Sequence, residues 1–345
     1  MNSDILHFVR PDELQAPAPP ESRGLARDGV RLLVTTQEGS IHARFTDLPD
    51  LLDPGDVLVV NESATIPASM PAEGDFGEFV LNLSTKYGAG LWLAEPRWSS
   101  SRPGPLPLRQ GERFRMPGLA GRFVSAYPGL ERLWFVQIAG DVEAAYAEYG
   151  SPIRYSYVDQ EIPLRAYQTI FARVPGSAEM PSAARPFSSR LVQTLVERGV
   201  EIKSILLHTG VSSLEVEAEE LEDQVLYPEP FSVPPATARA VNEAHRAGRR
   251  VIAVGTTVVR ALESAWNGTG VRAASGFTRL YIHPQRGVHV VDGLLTGFHD
   301  PMASHLAMLY ALAGTELVKD AYRTAVESRY LWHEFGDSNL LLPRG

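Results

Sequence analysis

The chain has 345 residues, enough for two domains or one large one, and at 44% hydrophobic and 21% charged its composition is that of a globular protein. A net charge of −9 disfavours nucleic-acid binding by the surface as a whole and leaves room only for a local basic patch. With no cysteine, disulfides and thiolate metal sites are excluded; residues 1–10 lack the apolar stretch of a secretory leader, and no apolar run approaches the roughly 20 residues that span a bilayer, so a cytoplasmic protein is expected.

In chain order, a Pro-rich lead (residues 16–21) is followed by strand-like runs at 30–35 and 41–45. The turn Asp53-Pro54-Gly55-Asp56 then leads into Val57-Leu58-Val59-Val60, another strand. From about residue 61 to 139 short strands separated by turns take over. Runs at 79–83 and 91–94 flank Tyr87-Gly88-Ala89-Gly90 as a hairpin, and runs at 111–116, 121–126 and 133–138 follow at regular spacing. This is the pattern of a small all-β barrel or sandwich, with the Pro/Ser-rich segment 99–107 as a loop within it. Between Arg97 and Arg132, seven arginines (97, 102, 109, 113, 115, 122, 132) stand against two acids, Glu112 and Glu131, a local balance of +5. Such a patch is either a solvated β face or a contact for an RNA backbone.

From residue 141 helices and strands alternate. Helices are predicted at 189–198, 235–247, 304–313 and 316–330, and strands at 201–207, 251–254, 277–283 and 288–295. Alternation of this kind predicts an α/β layer or barrel. The strand-like segments before residue 61 have no helices of their own, so the β unit reads as an insertion. The expected fold class is a mixed α/β, barrel-like main domain (residues 1–60 and 140–345) interrupted by a small all-β barrel domain (61–139).

The most informative stretch is Val251-Ile252-Ala253-Val254-Gly255-Thr256-Thr257-Val258-Val259-Arg260: a buried strand, a tight turn and a helix. A turn at that junction aims backbone N–H groups and the positive end of the helix dipole at whatever lies in front of the strand, which suits a carboxylate, a phosphate or a ribose hydroxyl. Arg260, read in the first helical turn, gains nothing from the dipole there and calls for an anion. The plainer alternative is that Thr256 or Thr257 caps the helix while Arg260 pairs with Glu263. No dinucleotide fingerprint or P-loop accompanies the turn.

Three histidines stand at suggestive places: His208 after a strand and before Thr209-Gly210, His299 in Leu295-Thr296-Gly297-Phe298-His299-Asp300-Pro301, and His305 at the opening of the next helix. Ligands collect at the C-terminal ends of strands in α/β folds, so His208 and His299 are candidates to share a pocket with Gly255-Thr256-Thr257; the alternative for each is a loop or satisfied core residue. No H-E-x-x-H spacing points to zinc, and G-x-S-x-G is absent. Residues 215–229 hold seven acids and no Lys or Arg, mostly a solvated face; Glu229, between Pro228 and Pro230, is the constrained one.

These residues resemble the S-adenosylmethionine:tRNA ribosyltransferase-isomerases of queuosine biosynthesis, nearly end to end. The resemblance runs through Arg27-Asp28, Phe45-Thr46-Asp47-Leu48, Pro54-Gly55-Asp56-Val57, Ile66-Pro67-Ala68, Tyr167-Gln168-Thr169, Leu207-His208 with Gly210, Val254-Gly255-Thr256-Thr257 with Arg260, Phe298-His299, and Phe335-Gly336-Asp337. It implies an α/β domain with an inserted β-barrel. It also implies transfer of the ribosyl part of S-adenosylmethionine to a 7-aminomethyl-7-deazaguanine base in tRNA, forming epoxyqueuosine and releasing adenine and methionine. That chemistry needs a base beside the sulfonium, an acid or cation near the departing adenine, and a clamp for the methionine carboxylate.

The resemblance accordingly implies His208, His299 and Arg260 as catalytic residues, and Gly255, Thr256, Thr257, Gly210, Glu229, Pro181, Ser182 and Asp337 as substrate contacts. S-adenosylmethionine is then a substrate, no metal is needed, tRNA is expected along the Arg97 to Arg132 region, no membrane is involved and the protein is expected to be a monomer.

Departures from the family pattern cluster at motifs. Asn-Asn-Thr-Arg-Val-Ile-Pro-Ala reads Asn61-Glu62-Ser63-Ala64-Thr65-Ile66-Pro67-Ala68 here, without the arginine, and Ala-Pro-Thr-Ala-Gly-Leu-His-Phe reads Met180-Pro181-Ser182-Ala183-Ala184-Arg185-Pro186-Phe187, without the histidine. Of His-x-Met-His-x-Glu only Glu229 is kept. Two alternatives follow: a divergent paralogue acting on S-adenosylmethionine or a related nucleoside with a small-molecule acceptor, and a non-catalytic nucleoside- or RNA-binding module.

Overall fold

The computed structural model describes residues 1–99, 106–154, 161–211, 216–332 and 334–343. Glu215, Arg102 and most of the loop expected at 99–107 lie outside them. The chain opens with β1 (Arg31–Thr36), β2 (Gly39–Arg44), the single-turn α1 (Leu48–Leu51) and β3 (Val57–Asn61). β4 (Ser63–Thr65) leads out to six antiparallel strands: β5 (Ser69–Gly74), β6 (Gly77–Gly88), β7 (Leu91–Trp98), β8 (Arg113–Met116), β9 (Leu119–Tyr127) and β10 (Leu130–Ala139). They close into a barrel in the order β10-β7-β6-β5-β8-β9.

After α2 (Val142–Tyr149) the chain returns along β11 (Val174–Ser177), which pairs in parallel with β4, so the way out and the way back form one two-stranded neck. The rest alternates: α3 (Ser189–Glu197), β12 (Glu201–Leu207), β13 (Glu229–Val233), α4 (Pro235–Arg246), β14 (Val251–Val254), α5 (Thr256–Ser264), β15 (Ala274–Thr278), β16 (Gly293–Gly297), α6 (Ser304–Ala313), α7 (Thr315–Glu327) and β17 (Ser338–Leu342).

The main sheet has the strand order β15-β13-β12-β3-β14-β16-β17-β1-β2, in which β12, β3, β14 and β16 run parallel. Side chains alternate across a strand, and here both faces are covered. Val57, Val59, Val251, Ala253 and Leu341 enter one core with α4, α5, α6 and α7. Leu58, Val60, Ile252, Val254, Leu340 and Leu342 enter a second core with α3, Phe45 and Phe187. Two-sided burial is why these strands read as unbroken β-branched and apolar runs rather than as alternating ones. The barrel has its own core, in which Phe79, Phe114 and Phe123 pack edge-on or tilted with centroids 4.9 to 6.0 Å apart, and α2 closes it with Val142 and Tyr146.

Two predicted strands are shorter than their apolar runs. The one expected at 277–283 ends at Thr278, because beyond it the carbonyl of Leu280 accepts from the Arg260 side chain and the Leu280 N–H donates to the Thr278 hydroxyl. The one expected at 288–295 starts only at Gly293, because the His289 and Val290 N–H groups donate to the Glu263 carboxylate instead of a neighbouring strand. In both places a side chain meets the backbone's hydrogen-bonding demand and the ladder stops.

Candidate active site

Gly255 ends β14 at φ +93°, and a Cβ placed on it would stand 3.3 Å from the Cβ of Ala183. The backbone and the close approach both require glycine. Its N–H donates to Leu295 on β16 at 2.8 Å, and its carbonyl opens α5 by accepting from Val258. Neither threonine caps the helix: Gly255 is the N-cap with no side-chain bond, and Thr257 Oγ1 accepts from Asn61 Nδ2 at 3.3 Å.

The cleft before this turn lies beyond the C-terminal ends of β12, β14 and β16, where open α/β sheets bind ligands. The structure gathers Pro181, Ser182, Gly255, Thr256, Thr257 and His299 on its walls, together with Thr209, Thr296 and His305. His299 is held at several points. Its Nε2 lies 3.0 Å from Thr296 Oγ1, its N–H donates to Tyr322 Oη, its carbonyl accepts from Trp332 Nε1, and its ring stacks on His305 with centroids 4.6 Å apart.

Two carboxyls that the sequence reading did not single out, Glu179 and Glu334, line the same cleft and are each less than a tenth exposed. Burial, and next the neighbouring Glu179, push the Glu334 pKa well above the ordinary carboxylate range. The native protein therefore keeps a proton on Glu334 that the unfolded chain has already released. Stability from this group is full below the ordinary carboxylate pKa and is lost as pH rises from there toward the raised value. Glu334→Gln, a permanently neutral isostere, is expected to raise the folding stability at pH 8 by on the order of 1 kcal/mol or more, seen as a higher thermal midpoint, and to change it little at pH 4.5. Equal midpoints for the two proteins at pH 8 would contradict this assignment.

Arg260 is the fifth residue of α5, in its second turn, and lines an adjoining cavity rather than the cleft. The anion that offsets it is Glu229 on β13, 3% exposed, whose Oε2 accepts from Arg260 Nη1 while its Oε1 accepts the Gly210 N–H at 2.7 Å. Arg260 Nε donates to the carbonyl of Leu280 at 3.1 Å. The alternative pairing with Glu263 does not occur, since that carboxylate is fully buried against Arg286, His289 and Val290. Gly210 has no room for a side chain, as a Cβ would come within 2.3 Å of Ser84 Oγ and 2.5 Å of Tyr227 Oη. His305 is on the wall of both cavities.

His208 stands behind the cleft wall, in the neck. Its Nδ1 lies 2.7 Å from Ser63 Oγ, which is 2.6 Å from Ser177 Oγ, which in turn accepts the Thr209 N–H. Gly176 passes so close to the ring that a Cβ there would be 2.6 Å from it. Burial lowers the His208 pKa, so the ring is neutral near pH 7. Asp337 is occupied by the protein itself: Oδ1 accepts the Arg31 N–H, and Oδ2 accepts from Arg31 Nη2 and the Leu331 N–H, each at 2.8 Å. It borders a smaller cleft that shares Ser182 and Glu334 with the main one.

On the barrel, Arg97 and Arg132 grip the buried Glu95 at 2.6 and 3.0 Å. Arg109, Arg113, Arg115 and Arg122 are exposed, and Arg113 sits directly opposite Arg122 across β8 and β9. Like charges in that position repel, an arrangement that an anionic partner would relieve. Among the described residues no helix is long and apolar enough to cross a membrane, and no group of three or more His, Asp or Glu is placed to hold a metal ion. Of the two cleft carboxyls missed in the sequence, Glu179 left a trace: it is the sole charged residue between Arg173 and Arg185.

A relative from Thermus thermophilus, named S-adenosylmethionine:tRNA ribosyltransferase-isomerase, is 40% identical over 326 residues, covering 92% of this chain and 93% of the relative. One of the same name from Rubrobacter xylanophilus is 40% identical over 351 aligned positions, covering 100% and 99%. The crystal structure of S-adenosylmethionine tRNA ribosyltransferase from Thermotoga maritima superposes with a TM-score of 0.55 at 26% identity, over 98% of this chain and 100% of that one. The family model described as queuosine biosynthesis protein matches residues 4–341, and with that the chain belongs to the queuosine biosynthesis protein family.

Proposed function

We propose that the enzyme transfers the ribosyl part of S-adenosylmethionine to a 7-aminomethyl-7-deazaguanine base in tRNA, releasing adenine and methionine. The observation that carries this reading is the cleft beyond the strand ends. It joins the start of α5, Pro181 and Ser182, and His299 in a chain whose relatives of near-equal length carry that name.

In this reading the first turn of α5 and the threonine hydroxyls hold the ribose. His299 takes the proton from the ribose carbon next to the sulfonium, since an imidazole titrates near operating pH. The aminomethyl nitrogen of the acceptor base forms the new carbon–nitrogen bond to the ribosyl fragment with its own lone pair and gives up a proton, while the electron pair left by the deprotonation is taken up in rearranging the ribosyl fragment itself. Adenine departs with the electron pair of its bond to the ribose and takes up a proton, and methionine leaves as the neutral thioether. His208, neutral and bound to the Ser63 hydroxyl, orders the neck behind Thr209 rather than touching the reacting atoms.

The test is to incubate the protein with S-adenosylmethionine, with and without precursor tRNA, and to quantify adenine and methionine. Release that requires tRNA supports the reading. Release without it favours the small-acceptor alternative, and binding without turnover favours the non-catalytic one. The exposed barrel arginines are the tRNA contact in this reading. Replacing Arg113, Arg115 and Arg122 together with alanine is expected to weaken tRNA binding and to flatten the slope of log affinity against log salt by about 2 to 3. An unchanged slope would remove the barrel from the interface.

A further inference from the structure

The cavity beside the cleft contains two buried donors with no acceptor. Among the described residues, Arg260 Nη2 and Tyr281 Oη are both out of solvent and have no hydrogen-bond partner, and both belong to side chains lining this cavity. The remaining nitrogens of Arg260, the Glu229 carboxylate and the Tyr227 hydroxyl are engaged within the protein. Arg260 Nη1 and Nε are on Glu229 and Leu280, each Glu229 oxygen accepts one bond, from Arg260 and from the Gly210 N–H, and Tyr227 donates to the carbonyl of Val211 at 2.7 Å.

A buried guanidinium N–H and a buried phenol without acceptors cost free energy unless a ligand completes them. Burial pushes the Tyr281 pKa upward, so the phenol stays a donor at any pH the protein meets. Ser304, the first residue of α6, adds a hydroxyl and the positive end of a ten-residue helix. Both unsatisfied donors ask for the same thing, an oxygen acceptor, and a carboxylate meets both at once. The remaining wall is apolar, formed by Leu226, Ile282 and Met308.

An anion at one end and a short unbranched apolar chain along the wall describe an α-amino acid with a thioether tail. We infer that this cavity is the subsite for the amino-acid end of the sulfonium substrate. Its carboxylate lies on Arg260 Nη2 and Tyr281 Oη, its thioether chain lies against Met308 and Ile282, and the cavity is the last to release free methionine. The inference rests on the proposed use of S-adenosylmethionine and adds the position of its amino-acid end and a residue, Tyr281, for which the sequence offered no sign. His305, on both walls, stands where the two halves of the substrate would join.

The experiment is calorimetric titration of the full chain with free L-methionine up to 10 mM, alongside L-methioninol, which lacks the carboxylate, and adenosine, which lacks the amino acid. Methionine is expected to bind and methioninol to bind at least tenfold more weakly. Tyr281→Phe, which keeps the ring and its packing, is expected to weaken methionine about tenfold, the size of one hydrogen bond to a charged group, and to leave adenosine unchanged. No methionine binding, equal binding of methioninol, or a Tyr281→Phe protein that binds methionine like the wild type each overturns the inference. The outcome separates from that of the catalytic reading: methionine binding without tRNA-dependent adenine release fails the reaction and keeps the subsite, and adenine release without methionine binding does the reverse.

Discussion

Arg260→Ala is expected to lower tRNA-dependent adenine release by at least about 100-fold and also to destabilise the fold, two effects with separate causes. The first is loss of the donor for the substrate anion. The second is that Glu229, 3% exposed, keeps only the Gly210 N–H and becomes a buried carboxylate with no cation, a change that typically costs about 3 to 5 kcal/mol. The double variant Arg260→Ala/Glu229→Gln separates them, because the amide removes the stranded charge. Its thermal midpoint is expected to recover a good part of the loss while activity stays low. A single variant with wild-type turnover would remove Arg260 from the site, and a double variant no more stable than the single one would show that the pair's charge balance is not what holds β13 to α5.

His299→Ala carries the other large effect, a fall in turnover on the order of 10² to 10⁴, the range for removing a proton-transfer group. The fold is expected to survive. The backbone of residue 299 is fixed independently of the ring by the Tyr322 hydroxyl on its N–H and the Trp332 indole on its carbonyl. The ring itself contacts Thr296 and His305, both on the cleft wall. Binding of S-adenosylmethionine within a few-fold of wild type, with adenine release almost abolished, is the signature of this role. Comparable losses in binding and turnover would make His299 a binding residue only, and His208→Ala then becomes the decisive comparison. Since His208 touches Ser63 and the Gly176 backbone in the neck, its removal is expected to affect stability more than chemistry.

How far the sequence reaches can be judged at particular residues. Val57-Leu58-Val59-Val60 and Val251-Ile252-Ala253-Val254 are readable as buried strands because a sheet covered on both faces demands apolar side chains at every position. The evenly spaced strands after residue 61 are readable for a similar reason: each barrel strand turns alternate side chains inward, and glycines close the hairpins. The two strand ends that differ from the apolar pattern, after Thr278 and before Gly293, are places where Arg260 and Glu263 reach in from α5 and take over the backbone's hydrogen bonds. No local pattern announces such a substitution, since the donor and the acceptor lie 20 or more residues apart.

The site divides along the same line. That Gly255, the start of α5 and His299 would lie at the strand ends was legible because a strand-turn-helix junction is local, and the succession of motifs from Arg27 to Asp337 was sufficient to identify the family. Which residues meet was decided by the tertiary structure. It set Arg260 against Glu229 rather than Glu263, turned Asp337 inward onto Arg31, and withdrew His208 into the neck. It also brought Glu179 and Glu334 to one cleft and Tyr281 to the cavity of Arg260. Periodicity encodes burial, and burial is a property of each residue in its own element. Which charge faces which depends on how elements distant in sequence pack, so it emerges only when the sheet, the helices and the neck are assembled together.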